Sequence, residues 1–113
     1  MPREHDQIRT AIGRGLALDN LREITNLSLS VLQSDASAHP AVFLVLASLS
    51  RWVADAWDDI PLSTQVADRI DSALRPCMEA LLNAADDDPT EVCAVLDATA
   101  TVFRDVIKRG LDT

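Results

Sequence analysis

Residues 40–59 carry two apolar seams where a helix ordinarily carries one, and this limits the possible folds more than any other feature. Val42, Leu46, Leu49, Val53, Ala56 and Ile60 step by four, three, four, three and four. Phe43, Ala47, Ser50, Ala54 and Trp57 keep the same rhythm one residue along. A bundle helix hides about three positions in seven. Two adjacent seams require cover over most of the circumference, so this helix is either central in its domain or covered by another copy of the chain. The small residues in the middle of the second seam admit a close helix, and Phe and Trp anchor its ends. That pattern leads us to expect a homodimer or larger homo-oligomer built on Phe43, Ala47, Ser50, Ala54 and Trp57.

The flanking segments also read as helices. Asp88-Pro89-Thr90-Glu91 offers an N-cap acid with proline at the first helical position. Val92, Val95, Leu96, Val102, Phe103, Val106 and Ile107 then recur at helical spacing, with Thr99 bridging the stripe. Lys108 and Arg109 suit the negative end of the dipole, and Gly110 stops a helix predicted over 89–109. Residues 63–85 show a second stripe through Val66, Ile70, Leu74, Cys77 and Leu81, capped by Ser63 and bent by Pro76.

Residues 20–34 open with the capping-box pattern Asn20-Leu21-Arg22-Glu23. The run Leu27 to Val31 also alternates with period two, which leaves a minor strand reading. Ile8, Ile12 and Leu16 outline a short helix over 5–17 that Gly13 and Gly15 weaken by roughly 1 kcal/mol each. With three Gly and five Pro, the chain lacks the turn residues of a many-stranded sheet. The expected fold is all-α: one domain over 1–113, an antiparallel four-helix bundle, with 1–19 as an optional, loosely packed leader.

Charge narrows the function. Ten Lys and Arg against eighteen Asp and Glu give a net charge of −8. The first 22 residues are nearly balanced at +1, so the acid lies in the rest. Nucleic acids and anionic membranes select basic faces, so neither is an expected partner. The N-terminus places acids where a secretory leader is basic, and the longest apolar run, Ala41 to Ala47, is far short of the roughly 20 residues of a membrane span. The expected compartment is the cytoplasm. Nine Arg to one Lys, fourteen Asp to four Glu, and sixteen Ala suggest GC-rich codons and a bacterial source.

Reactive groups are few. His5 and His39 fall in no metal-binding spacing, so no metal or other cofactor is expected. Cys77 and Cys93, set on antiparallel helices, fall about 6 Å out of step along the axes, and two reduced, mostly packed thiols are expected. No nucleophile–base pair appears, so no enzyme activity is expected. Asp55, Asp58 and Asp59 share one face at a helix C-terminus, where acids oppose the dipole by roughly 0.3–1 kcal/mol each. A locally unfavourable choice made three times suggests an external use, by a cationic partner or a divalent ion.

Together these features describe an acidic protein–protein interaction module of the inhibitor, immunity, antitoxin, chaperone or adaptor kind. The alternative is a bundle that binds a small molecule or a metal, with carboxylates or Cys77 facing an interior pocket.

Overall fold

The computed structural model describes residues 3–34, 39–59, 63–86 and 88–109. They form five helices: α1 (Arg3–Gly13), α2 (Leu18–Gln33), α3 (Pro40–Asp59), α4 (Thr64–Asn83) and α5 (Pro89–Arg109). The fold is all-α, and the described residues contain no strand. The period-two run Leu27 to Val31 lies inside α2, with Ser28 and Val31 turned into the core.

Local chemistry sets several of the boundaries. The Asp88 carboxylate accepts the Glu91 N–H at 3.0 Å, and Pro89 stands where no helical N–H needs a partner. Ser63 accepts the Val66 N–H at 3.2 Å and caps α4, which runs on without interruption through the exposed Pro76. α2 differs from the sequence expectation. It starts two residues earlier behind Ala17, and Asn20 is no cap. Its side-chain amide instead donates to the Gly15 carbonyl at 2.8 Å and braces the preceding loop.

The supposed leader is a packed helix. Ile8, Ala11 and Ile12 are fully buried, and Leu16 is nearly so. Their apolar side chains outweigh the roughly 1 kcal/mol that a glycine costs near the helix end. In α4 the buried line runs Val66, Ile70, Leu74, Met78 and Leu81, so Met78 takes the core position expected for Cys77.

α3 is the central helix. It packs most extensively on α2, also meets α4 and α5, and reaches α1 where the His5 and Phe43 rings lie 4.9 Å apart. Val42, Leu46, Leu49 and Val53 of the first seam are buried, and so are Phe43, Ala47, Ser50 and Ala54 of the second. The double seam is therefore covered within one chain. Small residues, Thr25 and Ser28 on α2 and Ala47, Ser50 and Ala54 on α3, are buried along these two helices and suit their close approach.

Candidate interaction surface

The expected oligomer seam does not reach the surface. Phe43, Ala47, Ser50 and Ala54 are at most 4% exposed in the single chain, and Trp57 is half-buried against the same core. The sequence expectation failed because periodicity reports how much of a helix is covered and not which helix covers it. Here α1 and α2 supply the cover. Ala54 lines a shallow groove between α2 and α3 with Thr25 and Asn26.

The acidic end of α3 is only partly described. Asp55 is exposed and pairs with Arg51 one turn back at 3.8 Å. Asp58 and Asp59 lie in the last turn of α3 by backbone position, and their side chains fall outside the described residues. The Arg51–Asp55 pair is solvated, with the base N-terminal to the acid, the less favourable order on a helix.

The surface that sequence reasoning missed is aromatic. Trp52 belongs to neither seam, is 37% exposed, and meets Phe103 of α5 edge-to-face with ring centroids 5.1 Å apart. Ile107, one turn beyond Phe103, is 50% exposed. Val45 on α3 and Leu96 on α5 are half-buried two turns away, on the same sides of their helices as Trp52 and Phe103. The signal in the sequence was a tryptophan outside both seams, a bulky side chain that the internal core does not require.

The reactive side chains stand apart from one another. His5 is buried on Phe43, and its Nε2 has no hydrogen-bond partner among the described residues. Both thiols are free: Cys93 is exposed, contrary to expectation, and Cys77 is half-buried. Burial pushes the Cys77 thiol up, and a hydrogen bond with Thr99 partly opposes that shift. Among the described residues, no three His, Cys, Asp or Glu side chains gather as a metal site. A second shallow groove, between α1 and α4, is lined by Arg9, Ile12, Gly13, Glu79, Leu82 and Asn83. No described helix is long and apolar enough to cross a membrane. The chain matches no family model, no curated protein and no solved structure.

Proposed function

We propose that this domain is a non-catalytic protein–protein interaction module, acting by occupancy of a protein partner as an inhibitor, immunity protein, antitoxin, chaperone or adaptor does. The observation that carries this reading is the Trp52–Phe103 pair, left on the surface between α3 and α5 with Ile107 beside it. Aromatic residues are enriched where partners dock, because they bury a large area at small conformational cost. The net charge of −8 supports a partner with a basic surface, whose approach a negative field accelerates. In this reading Asp55, Asp58 and Asp59 steer the encounter, and the aromatic pair holds the complex.

Site-specific photo-crosslinking in the cells of origin tests the proposal. A photoreactive residue in place of Ile107 should give an adduct, with another protein or with a second copy of the chain, that the same residue in place of Leu44 does not. Leu44 is comparably exposed, at 57%, but lies about 80° around α3 from Trp52 at 100° per residue and two turns away. Equal yields from both positions, or none from Ile107, would refute docking at this surface.

A further inference from the structure

We infer that the Trp52–Phe103 surface docks on a second copy of this chain, about a two-fold axis parallel to α3 and α5, so that α3 of each protomer faces α5 of its partner. The inference deepens the proposed function and rests on its reading of this surface as the docking face.

The first support is direction. α3 and α5 are joined through α4, which runs back between them, so their C-termini lie at the same end of the molecule. Trp52 stands two-thirds of the way along α3, and Phe103 stands equally far along α5.

The second support is charge. At that shared end α3 carries Asp55, Asp58 and Asp59 against Arg51, which pairs with Asp55, whereas α5 carries Arg104, Lys108 and Arg109 against Asp105 alone. A chain of net charge −8 thus ends one helix in acid and its neighbour in base, side by side. A two-fold axis parallel to the helices sets the acidic end of α3 against the basic end of α5 of the other copy, twice over. An axis perpendicular to the helices would instead bring the acidic end of α3 to the opposite end of the partner. There α3 meets the start of the partner's α3, where positions 40–50 carry no charge, so Asp55, Asp58 and Asp59 would face no base. The basic end of α5 would meet Asp86, Asp88 and Glu91 at the start of the partner's α5. Only the parallel arrangement gives the acidic end of α3 a basic counterpart.

The third support is the strip between the charged ends. Val45, Ser48 and Trp52 on one side and Ala100, Phe103 and Ile107 on the other are all uncharged, and Ser48 and Ala100 are small. Two neighbouring helices of this length present a face of roughly 30 Å by 20 Å, about 600 Å², the lower end of what each partner of a specific interface buries.

Sedimentation of the full chain over roughly 1–200 μM, with helicity checked for every variant, tests the inference. The unaltered chain should show a monomer–dimer equilibrium that weakens several-fold as salt rises from about 0.05 M to 0.5 M. Ile107→Glu should weaken it at least tenfold, and Leu44→Glu should not change it. One charge-reversed chain carries Arg104→Glu with Lys108→Glu, and the other carries Asp58→Lys with Asp59→Lys. Each alone should be mainly monomeric, and their mixture should form a heterodimer. A monomer at every concentration would overturn the inference, as would a dimer broken by Leu44→Glu and not by Ile107→Glu, or a mixture that stays monomeric. A monomeric chain that still crosslinks another protein from position 107 would remove this inference alone. A monomer with no such adduct would remove the proposed function as well.

Discussion

The Leu16 amide donates to the Asp71 carboxylate at 2.8 Å, across 55 positions of sequence. Arg75 holds the other oxygen of the same carboxylate at 2.6 Å, so one half-buried side chain ties the α1–α2 loop to α4. Asp71→Ala should cost about 1–3 kcal/mol, because it strands a partly buried N–H as well as a guanidinium. Asp71→Asn keeps an oxygen for Leu16 and loses only the charge opposite Arg75, so its cost should be about 1 kcal/mol or less. Chemical denaturation of the two variants checks the order. Equal losses would show that the ion pair, and not the loop contact, matters.

The same loop separates two glycines. Gly15 has φ of +98°, a conformation that a side chain strains, whereas nothing lies within 4 Å of a Cβ placed on Gly13. Gly15→Ala should lose about 1–2 kcal/mol, and Gly13→Ala should gain up to about 1 kcal/mol. Thermal melting should therefore move in opposite directions for two identical substitutions two residues apart.

The cysteines should separate kinetically. Exposed Cys93 should react with a thiol reagent in the native state well before Cys77. Burial raises the Cys77 thiol, so the folded chain holds that proton more tightly than the unfolded chain does. The associated stability is complete below the ordinary thiol range and declines as pH rises through and above it. Peptide mapping after brief labelling gives the order of reaction, and melting at successive alkaline pH values gives the sign. Faster labelling of Cys77 would contradict the order, and a melt that rises through the alkaline range would contradict the sign.

Ser50 is fully buried, and its hydroxyl has no hydrogen-bond partner among the described residues. Ser50→Ala removes an unsatisfied hydroxyl and improves helix propensity, so stability should rise by up to about 1 kcal/mol. A loss of that size in denaturant titration would show that the hydroxyl is bonded.

Elements with local causes were legible in the sequence. The Asp88 cap and Pro89 fix where α5 begins, and Ser63 caps α4, because each acts within three residues of itself. The features that were not legible depend on distant partners. Asp71 looks like any helix-surface acid until the loop bearing Leu16 folds over it. Cys77 and Met78 differ by one step around α4, and only the neighbouring helices decide which of them enters the core. The second seam of α3 correctly signalled extensive cover, but periodicity does not distinguish α2 from another molecule. That ambiguity assigned the interface to Trp57 and passed over Trp52, which lies 140° away around the helix at 100° per residue.

Whether α3 is enclosed by its own chain is tested most directly by the helicity and melting of Ala47→Glu. Ala47 is 4% exposed, so enclosure places an unpaired carboxylate in the core at a cost of several kcal/mol. The expected result is loss of helicity and of the cooperative melt at neutral pH. A variant that melts like the unaltered chain and differs only by dissociating a dimer would contradict enclosure and return the interface to the Phe43–Trp57 seam.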